Sequence, residues 1–147
     1  MAYELAQLNI AQMRAPLDSP ELADFVGNLD RVNALAEQSP GYRWRLQTEE
    51  GNATGIREFG DDYLVNLSVW EDVESLRAFV YSAEHVAFMR RRREWFASLR
   101  EAYFVMWWLP AGQWPDIKEA RDRLQTLRTR GPSEAAFTFQ HNYPAPT

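Results

Sequence analysis

Apolar and polar positions alternate along Glu4–Ala11, with Leu5 and Asn9 on one face and Ala6, Leu8 and Ile10 on the other, so this stretch reads as a β-strand. Pro16, Asp18, Ser19 and Pro20 then break the chain. Ser19 suits a helix N-cap, Pro20 the first helical position, and Glu21 and Asp24 the first turn. Leu22, Phe25, Val26, Leu29, Val32, Leu35 and Ala36 recur at spacings of three and four, which predicts an amphipathic helix ending near Ser39-Pro40-Gly41. Tyr42–Leu46 alternates again and forms a strand with one polar face. The polar stretch Thr48–Asp62, with Gly51, Gly55 and Gly60, is long for a connection and is expected to be a lid-like or flexible flap.

Tyr63–Trp70 is a second clear strand, with Val65, Leu67 and Val69 on one side and Leu64, Asn66, Ser68 and Trp70 on the other. Both faces are largely apolar, which places it centrally in a sheet covered on both sides. Asp72 caps a helix through Val73, Leu76, Phe79 and Val80. Tyr81-Ser82-Ala83 interrupts the pattern, and Ser82 can cap a second segment from Glu84 to about Leu99, so a kinked or broken helix is expected. Tyr103–Leu109 is a third strong strand. Pro115 opens a last helix with a narrow stripe of Ile117, Ala120, Leu124 and Leu127, closed by Gly131-Pro132. Ala136–Phe139 forms a short strand or packed arm.

The order β-α-β-β-α-β, followed by a helix, predicts one α+β domain over residues 1–140, with an antiparallel sheet and helices on one face. Residues 141–147 are expected to be a flexible tail. Helices on one face leave the opposite sheet face bare, and a second copy of the chain is the expected cover, giving a homodimer.

The chain has 147 residues, 46% hydrophobic and 25% charged, ordinary values for one globular domain. Its net charge of −5 argues against a nucleic-acid partner. Without cysteine, disulfides, thiolate metal sites and Cys nucleophiles are excluded. The longest apolar run, Ala102–Leu109, is far short of the ~20 residues of a membrane span. The N-terminus lacks a signal-peptide pattern, so no membrane association and a cytoplasmic location are expected. An aromatic share of 14%, including 6 Trp, stands out.

Dinucleotide, P-loop and Ser-elbow motifs are all absent, and only His85 and His141 are available as imidazoles, so no metal site is expected. In Arg90-Arg91-Arg92-Arg93, four consecutive helical positions point four ways rather than forming a basic stripe. On a helical wheel, Arg92 and His85 fall inside the arc of Phe88, Trp95, Leu99 and Phe96, whereas Arg90 points to water. Arg92 and His85 either meet an anionic oxygen of a bound molecule or serve the fold, Arg92 through an internal acid and His85 through a structural hydrogen bond. Asn66, on the face of Ser68 and Trp70, either binds substrate or bonds to a neighbour. Trp70, Trp95, Trp107 and Trp108 either stack on a planar ligand or fill the core.

Val65-Asn66-Leu67-Ser68-Val69-Trp70-Glu71, then Leu76–Ser82 and His85, resemble the dimeric α/β-barrel superfamily, which includes antibiotic-biosynthesis monooxygenases and haem-degrading oxygenases. The runs AFVYSAEH, RRRREWF, MWWLPAG, EARDRL and GPSEAAFTF more closely resemble an uncharacterised bacterial family, DUF3291, over nearly the whole chain. The resemblance implies a ferredoxin-like protomer, paired sheet to sheet, with ligands held between sheet and helices. It also implies a role for Asn66 and Trp70, which match the Asn-x-x-x-Trp spacing lining the cavity of cofactor-free monooxygenases. His85 matches a position often held by His in the superfamily. The Trp and His that haem-degrading relatives use fall at Phe79 and Met89 here, which speaks against haem chemistry.

The expected function is therefore an enzyme without metal or nucleotide cofactor, monooxygenase-like or isomerase/cyclase-like, acting on an aromatic or polyketide-like molecule. His85 is the candidate acid/base, and Asn66, Trp70, Arg92, Trp95 and Trp108 are the candidate substrate-binding residues. The alternatives are a non-catalytic binder of hydrophobic small molecules and a dimeric interaction module with a filled core.

Overall fold

The computed structural model describes residues 2–48, 51 and 53–147. Four strands form one antiparallel sheet: β1 (Tyr3–Gln12), β2 (Tyr42–Arg45), β3 (Tyr63–Trp70) and β4 (Phe104–Pro110), in the order β2-β3-β1-β4. With α1 (Ala23–Gln38) after β1, and α2 (Val73–Val80) after β3, this is the ferredoxin-like arrangement. Two short helices, α3 (Ala83–Met89) and α4 (Arg92–Trp95), continue from α2, and α5 (Ile117–Arg130) follows β4.

The caps explain the breaks. Asp72 accepts from Ser75 N–H at 2.8 Å and starts α2. Ser82 accepts from His85 N–H at 3.4 Å and restarts the helix as α3. The single segment expected from Glu84 to Leu99 is broken again at Arg90, and helix ends at Trp95. Gly131 closes α5 in the left-handed region (φ 76°), where only glycine sits without strain. A side chain on Gly41, which also has positive φ, would collide with Ser75 of α2.

Strand alternation sends Ala6, Leu8, Ile10, Val65, Leu67, Val69, Val105, Trp107 and Leu109 to one face of the sheet. The homodimer expectation assumed that this face lies bare, and the structure corrects that premise. Ala120, Leu124 and Leu127 of α5 cover it, and Ala53, Ile56 and Phe59 pack at its margin. The stripe on α5 is narrow because a flat sheet face needs only one row of side chains to meet it. Burial of this face therefore calls for no second copy.

The last three of those residues belong to the stretch expected as a flap, whose Glu49, Glu50 and Asn52 lie outside the described residues. The expected loose tail is tied back at Tyr143, whose carbonyl accepts from Trp108 Nε1 at 2.8 Å and whose ring meets Phe137. Phe137 in turn exchanges backbone hydrogen bonds with Met106 at the β4 edge. Among the described residues, no helix is long and apolar enough to cross a membrane.

Candidate functional site

The other sheet face, toward α1–α3, is not filled. The β1–β3 register sets Gln7 opposite Ser68 and Asn9 opposite Asn66, so four polar side chains share the middle of that face. Gln7 is the hub. Its amide nitrogen donates to Asn66 Oδ1 at 2.6 Å and to Ser68 Oγ at 2.7 Å, while its carbonyl oxygen accepts from Asn9 at 3.2 Å. Trp70 Nε1 donates to Ser68 Oγ at 2.9 Å. The buried Gln7 and Ser68 are thus satisfied within the sheet. Asn66 is exposed although it sits on a central strand, because it faces a hollow. Its amide nitrogen has no partner among the described residues, which leaves a donor aimed into that space.

The hollow is a cavity of about 670 Å³ between the polar sheet surface and the helices. That volume is in the range of small-molecule sites, and apolar walls around a few convergent polar groups are their usual make-up. Phe25, Leu29 and Val32 of α1 form one wall, and Phe79 and Phe88 of α2 and α3 another.

The turn capped by Ser82 places His85 in the wall. Its Nδ1 lies 2.8 Å from the carbonyl oxygen of Val80. A carbonyl only accepts, so Nδ1 carries the proton and Nε2 is left with a free lone pair. Burial lowers the His85 pKa below its ordinary 6.5, and the hydrogen bond to Val80 opposes this without overcoming it. The imidazole is therefore neutral at pH 7. Its ring rests 4.8 Å from Phe79, which stacks on Trp70 at 5.4 Å. Tyr42 meets Trp70 edge-on at 5.7 Å, and burial, then the charge of Glu37, hold its phenol above its ordinary pKa against the pull of Arg45.

Arg92 also lines the cavity. Its side chain has no ion pair and no hydrogen bond among the described residues, and its guanidinium lies 4.8 Å over the Tyr103 ring. No internal acid that would make it structural pairs with it among the described residues. Its neighbours differ: Arg91 pairs with Asp24 and Glu94 at 2.7 and 2.9 Å, and Arg90 is exposed. Arg93 is exposed like Arg90, and the helix expected to carry all four arginines is broken between Met89 and Arg92.

Asn66, Trp70, His85 and Arg92 all line this one cavity. Trp95 and Trp108, also expected as substrate-binding residues, do not line it. Trp95 is 1% exposed and packed among Phe25, Phe88 and Phe96, because the break after α3 turns it into the core between α1 and α4. Trp108 lies under Tyr143, toward the β4 edge. Sequence reasoning passed over Gln7, Asn9 and Arg45. Their signal was present as polar residues alternating on β1 and β2, but nothing local marked that face as hollow. Among the described residues, no group of three His, Cys, Asp or Glu could hold a metal ion.

The family profile of DUF3291, a domain of unknown function, matches residues 4–147. No curated protein matches the chain. Among solved structures, SnoaB from Streptomyces nogalater, described as a cofactor-independent oxygenase, superposes with a TM-score of 0.51 at 18% identity, covering 76% of this chain and 96% of its own. A protein of unknown function from Nitrosomonas europaea gives 0.49 at 15% identity, covering 78% and 96%. A dabb family protein with a ferredoxin-like fold from Mesorhizobium loti gives 0.46 at 16%, covering 74% and 99%. At these identities the likeness to SnoaB speaks for the fold.

Proposed function

For a chain that belongs to the DUF3291 family, we propose a small-molecule enzyme that uses its own side chains, without metal or nucleotide cofactor, on an aromatic or polyketide-like substrate. One observation carries this reading: a neutral His85 with a free Nε2, an unpaired Arg92 and an unpaired Asn66 amide line a single hollow. Nε2 removes a proton from an acidic C–H or phenol of the substrate. The negative charge that develops on the conjugated oxygen is met by the Arg92 guanidinium and the Asn66 amide, where low dielectric makes such contacts strong.

The carbanion then has two outlets. In an isomerase or cyclase it regains the proton at another carbon or attacks a carbonyl of the same molecule. In a monooxygenase it passes its electrons to molecular oxygen, so that a CH2 becomes C=O and the second oxygen leaves as water. The description of SnoaB makes oxygen uptake the first activity to measure.

The test uses a phenolic polycyclic ketone with an acidic CH2, following oxygen consumption and, separately, exchange of the CH2 protons with deuterated water by NMR. His85→Gln is expected to slow both by roughly a hundredfold or more. Unchanged rates in His85→Gln would remove the catalytic role. Binding of the ketone with neither exchange nor oxygen uptake in the wild type would favour the non-catalytic binder.

A further inference from the structure

The cavity has a second cation. Arg45, at the end of β2, lies beside Ser68 on the cavity side of the sheet. Its side chain is only 11% exposed, and its Nε is buried without a hydrogen-bond partner. Its ion pair among the described residues is a long one, 3.7 Å to Glu37, which is itself 43% exposed. A guanidinium removed from water and so poorly paired is costly unless an anion joins it.

Arg45 and Arg92 lie toward opposite sides of the polar surface. Arg45 is on the edge strand β2, and Arg92 sits over Tyr103, which leads into β4. Three inter-strand steps separate β2 from β4, on the order of 14 Å of backbone. On the sheet face between them lie the uncharged Gln7, Asn9, Asn66 and Ser68. No Asp or Glu is among the described residues lining the cavity, in a chain whose net charge is −5. Two cations and no acid among the described lining residues, inside an acidic protein, run against the overall charge.

We propose that the ligand carries two acidic groups, one at each end of a flat aromatic body, with Arg45 holding the end away from the His85 chemistry. This rests on the reading of the cavity as a small-molecule site and adds the charge and shape of what it takes. Arg92 faces the oxygen that becomes charged during reaction, and Arg45 is a binding residue that fixes orientation.

Calorimetric titration of the intact protein with three probes tests this: biphenyl-dicarboxylate with one carboxylate on each ring, biphenyl-carboxylate, and the neutral biphenyl-methanol. The dicarboxylate is expected to bind roughly tenfold to a hundredfold more tightly than the monocarboxylate, the range of one charge-assisted hydrogen bond. Arg45→Met should erase that gap and leave monocarboxylate binding in place. Arg45→Lys should keep part of the gap, and Arg43→Met, whose partner Glu4 lies outside the cavity, should keep all of it. Equal binding of the two acids by the wild type, or a gap that survives Arg45→Met, would overturn the inference. Tight binding of the neutral probe alone would overturn it while the cavity reading stands. Binding of none of the three would remove both. If Arg45→Met does not fold, the wild-type gap and its reduction in Arg45→Lys decide the matter.

Discussion

The two faces of the sheet are made by the same strands, one residue out of step. On the α5 face, Leu8, Val65, Leu67 and Trp107 form one buried cluster with Leu124 and Leu127. On the other face, Gln7, Asn9, Asn66 and Ser68 hold one another by hydrogen bonds and leave the space above them open. A residue shift of one thus separates the part that stabilises the protein from the part equipped to bind. Apolar side chains on a flat face draw a helix down onto it. A polar network gains little from an apolar cover, so the helices opposite can stand off.

The largest expected effect is on the packed face. Leu124→Ala should cost about 2–5 kcal/mol, read from the urea midpoint, because it opens a void in a fully buried layer. Light scattering on the wild type is expected to give one chain, 17.1 kDa, since α5 already occupies the face that would pair. A dimeric mass would show that another surface pairs or that α5 moves away.

Gln7→Leu comes next, at about 1–3 kcal/mol, because it strips partners from Ser68 and Asn66 rather than opening a void. A loss as large as that of Leu124→Ala would mean that the two faces are equally packed.

The third effect depends on pH. The folded-state pKa of His85 is lowered, so below about pH 6.5 the unfolded chain binds more protons than the folded one. The stability tied to a neutral His85 is full above that pH and is lost as pH falls through the lowered folded value. Urea titrations across this window should show a slope in the wild type that flattens in His85→Gln. An identical slope in the two proteins would place the titration elsewhere.

The smallest expected change in stability is at Arg92. With no acid paired to it among the described residues, Arg92→Met should leave the urea midpoint unchanged or raise it, while weakening anion binding. Arg90→Met, on the outside, should stay within about 0.5 kcal/mol and leave binding intact. A loss of about 3–5 kcal/mol for Arg92→Met alone would make this arginine structural.

Local pattern was enough for much of this molecule. Alternation on β1, β3 and β4 set which residues share a face, and Asp72, Ser82 and Gly131 marked where helices begin and end. Alternation put Asn66 on the same face as Trp70. What period and caps cannot encode is what comes to rest against a face. Gln7 meets Ser68 across 61 residues of chain, and Trp108 meets Tyr143 across 35. Whether Trp95 lined a cavity or filled a core turned on a helix break and on Phe25 in another element. What covers the apolar sheet face turned on α5 lying down on it. Faces follow from backbone geometry within a few residues, whereas filling, hollowness and the poor pairing of Arg45 and Arg92 follow from which residues distant in sequence come to rest nearby, which only the tertiary structure decides.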